Sequence, residues 1–230
     1  MMKIIGLIGG MSWESAAEYY RIINEEIKKR LGGLHSAECI LYSVDFAKIE
    51  HFQNSGEWEK ASEKISKVAY SLEQAGAEFI VICTNTMHKV VDTIQSNINI
   101  PVLHIADATA EQINKQNIKN IGLLGTKYTM DQDFYKSRIE LNGMNLIVPS
   151  KEEREVVNKI VFEELCLGKI HQESKDYYKN VIDNLIKNGA EGIILGCTEI
   201  SLLIKPDDFQ VPLFDTTYIH ACAAVNKSLA

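Results

Sequence analysis

An internal repeat constrains the fold of this chain more than any other feature of its sequence. The segment "GAEFIVICT" (76–84) aligns without a gap to "GAEGIILGC" (189–197), with four identities and two aliphatic exchanges in nine positions. "IGLIGG" (5–10) is matched by "IGLLGT" (121–126), and a proline opens the following strand in both halves. Matched positions lie 111 to 116 residues apart and keep the same order. We therefore predict two similar halves rather than an accidental likeness between two α/β units.

Short apolar runs alternate with longer amphipathic stretches along the whole chain. Several of the short runs are apolar on both faces, which is typical of parallel strands covered by helices. The predicted fold class is therefore α/β, with a mainly parallel sheet flanked by helices in each half. The predicted strands span 4–8, 39–44, 78–83, 101–105, 120–124, 145–148, 191–196 and 211–214, and the clearest helices span 14–30, 153–169 and 175–189.

The repeat predicts two pseudo-symmetric lobes. We assign residues 1–103 plus 211–230 to lobe 1 and residues 104–210 to lobe 2, as a pseudo-repeat of lobe 1. Parallel α/β folds bind ligands beyond the carboxyl ends of their strands. The equivalent strand ends "CTNT" (83–86) and "GCTE" (196–199) are therefore expected to line an active site in a cleft between the lobes.

Charge and hydropathy exclude several classes of partner. The formal net charge is −7 and no dense cluster of Lys and Arg is present, which argues against nucleic acid or an anionic membrane surface. No apolar run approaches the ~18 residues that a transmembrane helix needs. Five cysteines without a CxxC pair, and a first segment without a signal-peptide pattern, predict a cytoplasmic protein with free thiols. The six histidines lack ligand spacing, so no metal is predicted.

Two adjacent residues at the first strand end compete for a chemical role. Cys83 carries the better nucleophile, because a thiolate is more reactive than a hydroxyl. The gapless repeat, however, aligns Thr84 with Cys197 and aligns Cys83 with Gly196. Since side chains alternate between the faces of a strand, Cys83 is expected to point into the packing face if Thr84 and Cys197 share a role.

Five segments carry a resemblance to a known family: "IGLIGGMSWES" (5–15), "CTNTMH" (83–88), "IGLLGT" (121–126), "GCTEISLLI" (196–204) and "VPLFDTT" (211–217). Together they resemble the aspartate/glutamate racemase family, whose members racemise amino acids without a cofactor. The resemblance covers essentially the whole chain and implies an isomerase with two acid/base groups, one for each face of the substrate Cα. The family usually has two cysteines, but Thr84 stands here before "NTMH", as in a subgroup with a Thr/Cys pair.

The resemblance implies a role for several residues. Cys197 is expected to take the α-proton of the L enantiomer, with its pKa lowered by a helix N-terminus. Thr84 is expected to return a proton from the opposite face. Glu199 either orients the Cys197 thiol and the substrate, or only places a negative charge at the N-terminus of a helix. The remaining candidate substrate-binding residues are Met11, Asn85, Thr86 and Thr198.

Recognition of the substrate side chain is less clearly encoded. The family's usual Arg is absent from "SVDFAKIEHFQNSGEW" (43–58), and Cys166 takes the place of its usual Lys. Gln53 is the first substitute candidate, with Lys48 and Lys169 behind it. Without a bidentate guanidinium the site should discriminate less strongly for a carboxylate. We therefore expect L-aspartate and L-glutamate as substrates, with L-homoserine and other neutral amino acids beside them.

Two other functions are compatible with the same residues. A decarboxylase or isomerase of the same superfamily would need only the one cysteine, Cys197. A non-catalytic amino-acid sensor built on a degenerate racemase cleft is the other, since half of the usual thiol pair is absent. The resemblance also allows a homodimer.

Overall fold

The computed structural model describes residues 1–205 and 208–230. No helix in this part of the chain combines the length and the apolar character needed to cross a membrane. The strands are β1 (Ile5–Gly9), β2 (Cys39–Ser43), β3 (Phe79–Ile82), β4 (Val102–Leu103), β5 (Asn120–Gly125), β6 (Asn145–Ile147), β7 (Gly192–Gly196) and β8 (Leu213–Asp215). The helices are α1 (Trp13–Leu31), α2 (Phe46–Asn54), α3 (Trp58–Gln74), α4 (Val91–Ser96), α5 (Ile105–Asn114), α6 (Lys127–Asp131), α7 (Asp133–Leu141), α8 (Lys151–Glu163), α9 (Gln172–Lys187), α10 (Ile200–Leu203) and α11 (Thr216–Leu229).

The eight strands form two parallel four-stranded sheets. Their orders are β2-β1-β3-β4 and β6-β5-β7-β8, so the second sheet repeats the topology of the first. Ile5 pairs with Phe79 in one sheet, and Ile121 pairs with Gly192 at the equivalent place in the other. Each predicted strand is present, within a few residues of its predicted bounds. The α/β class and the parallel sheets are confirmed.

The chain divides into two units, which we call unit 1 and unit 2. Unit 1 contains Met1–Ile105 and His220–Ala230, and unit 2 contains Ala106–Ile219. The sequence-based boundaries placed the return to the first lobe at residue 211, whereas the chain returns at His220. The reason is β8, which pairs with β7 through Ile193 and Leu213 and so belongs to the second sheet.

The repeat is visible in individual contacts. Gly76 and Gly189 lie 113 residues apart, and both adopt positive φ angles, of 100° and 97°. Glu78 and Glu191 have the same spacing, and each accepts backbone N–H groups at the start of the neighbouring central strand. The same spacing makes Thr84 and Cys197 structurally equivalent.

Side chains in unit 1 alternate between two cores, one on each face of its sheet. Ile80 and Ile82 pack with α2, α3 and α4. Phe79 and Val81 pack on the opposite face with α1 and α11, and Cys83 continues that alternation with 0 % exposure. The expected orientation of Cys83, into the packing face, is confirmed.

One predicted helix ends earlier than its periodicity suggested. The pattern over 153–169 predicts a single helix, but α8 ends at Glu163. Glu164 has φ −124° and ψ −69°, and the chain continues as one 3-10 turn, Leu165–Leu167. Gly168 then adopts a left-handed conformation, which stops the helix because this region favours glycine. Cys166 consequently lies in a turn rather than on the face of a long helix.

We predict that Gly10→Ala destabilises the protein more than Gly76→Ala does. Both glycines have positive φ, at 88° and 100°, so alanine costs about 1–2 kcal/mol of strain at either place. A Cβ at Gly10 would also lie 2.2 Å from the carbonyl oxygen of Val44, whereas a Cβ at Gly76 meets no atom within 4 Å. The added overlap costs about 1–3 kcal/mol.

Urea unfolding of both variants measures the difference in the free energy of unfolding. Equal losses would contradict the close approach of Gly10 to Val44.

Candidate active site

The carboxyl end of β3 places Cys83 and Thr84 in different surroundings. Cys83 is fully buried, and burial raises the pKa of its thiol far above the usual range. A thiol in apolar surroundings is inert, because the reactive form is the thiolate. Thr84 is half-buried. Of the two neighbours, Thr84 is therefore the one whose side chain is available for chemistry.

Hydrogen bonds fix the backbone on both sides of Thr84. The hydroxyl of Ser15 donates to the carbonyl oxygen of Cys83 at 2.7 Å. The N–H of Thr84 donates to Ile82 at 2.8 Å, and the carbonyl oxygen of Thr84 lies 2.9 Å from Nδ1 of His88. The peptide planes before and after Thr84 are both tied to other elements.

The chain after Thr84 turns into a 3-10 helix, Thr86–Val90, which begins with buried polar residues. Asn85 and Thr86 are both buried. Gln53 on α2 is buried beside this helix, where its Nε2 donates to Sδ of Met87 at 3.2 Å. The structure therefore brings Gln53, Asn85 and Thr86 to the same region as Thr84 within unit 1.

The segment after β1 has a mainly structural role. Ser12 caps α1, since its hydroxyl accepts the N–H of Ser15 at 3.3 Å. Met11 is buried in the core formed with α2, α3 and α4. The side chain of Met11 thus packs with apolar residues.

At the carboxyl end of β7, Cys197 is paired with a carboxylate. Its exposure is 8 %, and its Sγ donates to Oε2 of the buried Glu199 at 2.9 Å. Glu199 is the residue before α10, but its side chain makes no cap hydrogen bond to that helix. Two roles were predicted for Glu199, and these contacts favour the first, a hydrogen-bond partner of the thiol, over a negative charge at the helix N-terminus.

The expected lowering of the Cys197 pKa is wrong. Burial raises its pKa well above the usual value, and the negative charge of Glu199 and the neighbouring Cys166 raise it further. The helix that was expected to stabilise the thiolate, α10, has only four residues. A short helix with a carboxylate at its start cannot offset the cost of a buried negative charge.

Two further side chains belong to the surroundings of Cys197. Tyr178 on α9 is fully buried and donates to the carbonyl oxygen of Val157 at 3.2 Å. Burial raises the Tyr178 pKa well above its usual value, and the nearby acidic groups Cys197, Cys166, Glu164 and Glu199 raise it further. Cys166, which takes the place of the family's usual Lys, is half-buried and interacts electrostatically with Cys197. No sequence pattern distinguishes Tyr178 from the other apolar-face residues of α9.

The remaining predicted residues are more exposed. Thr198 is half-buried. Lys48 is 73 % exposed in its side chain and lies 4.0 Å from Asp45, and Lys169 is exposed. Neither lysine is held as a buried cation. Among residues 1–205 and 208–230, no group of three or more His, Cys, Asp or Glu side chains is arranged to hold a metal ion.

We predict that Glu199→Gln increases the rate at which Cys197 is alkylated. Removing the negative charge lowers the Cys197 pKa, and each unit of decrease raises the thiolate fraction at pH 8 about tenfold. Iodoacetamide labelling followed by mass spectrometry of the peptide that contains Cys197 separates this thiol from the other four. Cys39, which is half-buried, serves as the internal control and should label at an unchanged rate. A slower reaction of Cys197 in the variant would contradict the coupling to Glu199.

Comparison with known proteins identifies the family. A model of the Asp/Glu/hydantoin racemase family matches residues 8–224. The broad specificity amino-acid racemase RacX of Bacillus subtilis (strain 168) is 23 % identical over 235 residues, which cover 99 % of each chain. The glutamate racemase of Aquifex pyrophilus is 28 % identical over 177 residues, which cover 70 % of this chain and 63 % of that one.

Solved structures resemble the whole chain. A Yersinia pestis protein assigned as an Asp/Glu racemase is 57 % identical, with a TM-score of 0.94 and 100 % of each chain covered. An aspartate racemase homologue from Pyrococcus horikoshii OT3 is 38 % identical, with a TM-score of 0.87 and 100 % of each chain covered. With a family model that matches nearly the full length and two such structures, this chain belongs to the Asp/Glu/hydantoin racemase family.

Proposed function

We propose that the protein is an amino-acid racemase that moves a proton at Cα without a cofactor, with Thr84 and Cys197 as its two acid/base groups. One observation carries this proposal. Thr84 and Cys197 occupy equivalent positions, 113 residues apart, after the corresponding central strands of two sheets with the same topology. Proton removal on one face of Cα and proton return on the other requires two such groups.

The pairing of Cys197 with Glu199 explains how a thiol with a raised pKa can act as a base. The thiol proton already has an acceptor, because Sγ donates to Oε2 of Glu199 at 2.9 Å. Transfer along this hydrogen bond leaves a thiolate and a carboxylic acid. The thiolate then takes the α-proton of the L enantiomer, and the electron pair of the C–H bond stays on the substrate.

The substrate itself supplies the positive charge that this site needs. The Cys197–Glu199 pair carries one buried negative charge, which lies on Glu199 before the proton transfer and on the thiolate after it, and burial opposes that charge on sulfur. The α-ammonium group of an amino acid offsets that charge, because an opposite charge within a few ångströms favours the ionised form. Thiolate formation is thereby coupled to substrate binding.

Thr84 completes the reaction from the other face. Its hydroxyl donates a proton to Cα and yields the D enantiomer. The proton left on Glu199 and the proton missing from Thr84 are then exchanged with solvent. A hydroxyl is a poorer acid and base than a thiol, because its pKa lies farther from neutrality. We therefore expect the Thr84 step to limit the rate.

Polar groups near the strand ends are proposed to bind the rest of the substrate. Asn85, Thr86 and Thr198 are assigned to the α-carboxylate. Gln53 is assigned to the side chain, because it is the buried polar residue beside Thr86–Val90. An amide can donate to a carboxylate or a hydroxyl, so Gln53 supports a range of substrates that includes L-aspartate, L-glutamate and L-homoserine. The five free thiols support a reducing, cytoplasmic location.

We predict that Cys197→Ser and Thr84→Ala each lower racemisation about 100-fold or more, whereas Cys83→Ala leaves most of it intact. The first two remove a group that exchanges a proton with Cα, and acid/base groups contribute about 100- to 10,000-fold to a rate. Cys83 is buried on the opposite face of the strand. Deuterium incorporation at Cα of L-aspartate and L-homoserine in D2O, with chiral separation of the products, measures each variant.

Thr84→Ser is the matched control for Thr84→Ala, because it keeps the hydroxyl and should retain measurable activity. Loss of activity in Cys83→Ala with full activity in Thr84→Ala would reverse the assignment. Binding of these amino acids without exchange in the wild-type protein would indicate a sensor.

We predict that L-homoserine is racemised at least as fast as L-aspartate. Lys48 and Lys169 are exposed, and no arginine occurs in 43–58, so a distal carboxylate lacks a fixed cation in these segments. L-Malate, which has no ammonium group, serves as the control and should show no exchange. Strict selectivity for aspartate and glutamate would contradict the role of Gln53.

A further inference from the structure

A cluster of buried imidazoles lies directly behind Thr84. His88, His104 and His220 are all buried, and the ring of His88 is 4.5 Å from that of His104 and 5.8 Å from that of His220, measured between centroids. The three residues lie in the 3-10 helix, after β4 and in α11, and all three belong to unit 1. His88 is the member that reaches Thr84.

The hydrogen-bond partners of His88 define its protonation. Its Nε2 accepts the backbone N–H of Ile105 at 3.3 Å, so this nitrogen carries no proton. Nδ1 lies 2.9 Å from the carbonyl oxygen of Thr84, which can only accept, so Nδ1 carries the proton. His88 is therefore neutral, and it links the backbone of Thr84 to the start of α5.

The ring of His220, beside His88, is itself fixed. Nε2 of His220 lies 2.9 Å from the carbonyl oxygen of Leu103, and Nδ1 of His220 accepts from the hydroxyl of Tyr19 at 2.8 Å. Burial lowers the His220 pKa to about 3, so this ring stays neutral in the physiological range. Packing against a neutral, hydrogen-bonded ring leaves His88 little freedom to turn.

From these contacts, and on the basis of the proposed function, we propose that His88 is a positioning residue that sets the direction of the Thr84 hydroxyl. Ser15 holds the peptide plane before Thr84, and His88 holds the plane after it. Together they fix both backbone torsions of Thr84, and hence the direction of its Cα–Cβ bond. A hydroxyl is a weak acid and base, so its rate depends strongly on alignment with the substrate.

The equivalent position in unit 2 has no imidazole bonded to the backbone. Residue 201, which lies 113 positions after His88, is a serine. Its Oγ has no hydrogen-bond partner among the residues that the structure describes. The thiol of Cys197 is held through its own side chain, by Glu199. The imidazole is therefore specific to the half that carries the hydroxyl.

Elimination from β-chloroalanine tests this role, because it requires only one base. Removal of the α-proton expels chloride with the electron pair of the C–Cl bond, and the resulting 2-aminoacrylate is hydrolysed to pyruvate and ammonium. The L enantiomer presents its α-proton to Cys197, whose own proton goes to Glu199. The D enantiomer presents its α-proton to Thr84, whose hydroxyl first releases its own proton to solvent. Pyruvate formation from each enantiomer therefore reports on one base at a time.

We predict that His88→Gln lowers elimination from D-β-chloroalanine about 100-fold, the cost expected for a misplaced catalytic group, and leaves elimination from the L enantiomer within about threefold. His88→Asn should retain much more of the D reaction. The amide nitrogen of Asn takes the place of Nδ1 and can still donate to Thr84, whereas the amide of Gln takes the place of Nε2. An equal loss for both enantiomers, or a better D reaction in His88→Gln than in His88→Asn, would overturn the proposal.

His220→Asn is the matched control, since its ring is equally buried but is bonded to Tyr19 and Leu103. This variant should have a lower free energy of unfolding. Its elimination rates from D- and L-β-chloroalanine should change by the same factor. If the His88 variants fail to fold, ¹⁵N chemical shifts of the wild-type imidazole decide, because a proton on Nε2 of His88 would overturn the proposal. A wild-type protein that eliminates neither enantiomer and racemises no amino acid contradicts the proposed function, and with it the positioning role of His88. The ¹⁵N chemical shifts would still show separately whether Nδ1 or Nε2 of His88 carries the proton.

Discussion

Parallel pairing of the central strands is the constraint on which the other features depend. β1 pairs with β3 and β5 pairs with β7, and each pair is flanked by a further parallel strand on either side. In a parallel sheet all carboxyl ends lie at one edge, so the residues after β1 and β3 are neighbours although the chain between them is long. This edge brings Ser15 to the carbonyl oxygen of Cys83 across 68 positions of sequence.

The electrostatics around Cys197 differ from those of most reactive cysteines. Thiolates are usually stabilised by a cation or by the N-terminus of a long helix. Here the thiol is buried and donates to Glu199, so the resting state is protonated. A thiol that stays protonated until a substrate ammonium group binds would be unreactive towards electrophiles in the absence of substrate. The same acidic surroundings would therefore both protect the thiol and select amino acids.

The two equivalent residues, Cys197 and Thr84, are held by different kinds of contact. Cys197 is paired through its side chain, whereas Thr84 is held through its backbone by Ser15 and His88. The difference follows from the groups themselves. A thiol needs a neighbour that accepts its proton, while a hydroxyl with a high pKa gains most from alignment. A repeat that conserves topology therefore permits divergence at two equivalent positions, Thr84 and Cys197.

The sequence by itself determined the strands, the repeat and the equivalence of Thr84 with Cys197, because these depend on local periodicity and on side-chain alternation. It also determined that Cys83 points into the core, since the alternation continues past β3. Only the tertiary structure decided the pKa of Cys197, the return of the chain to unit 1 at His220, and the bond from His88 to Thr84. Burial, the pairing of β8 with β7 and the meeting of His88 with Ile105 are non-local contacts, and no short sequence pattern encodes them.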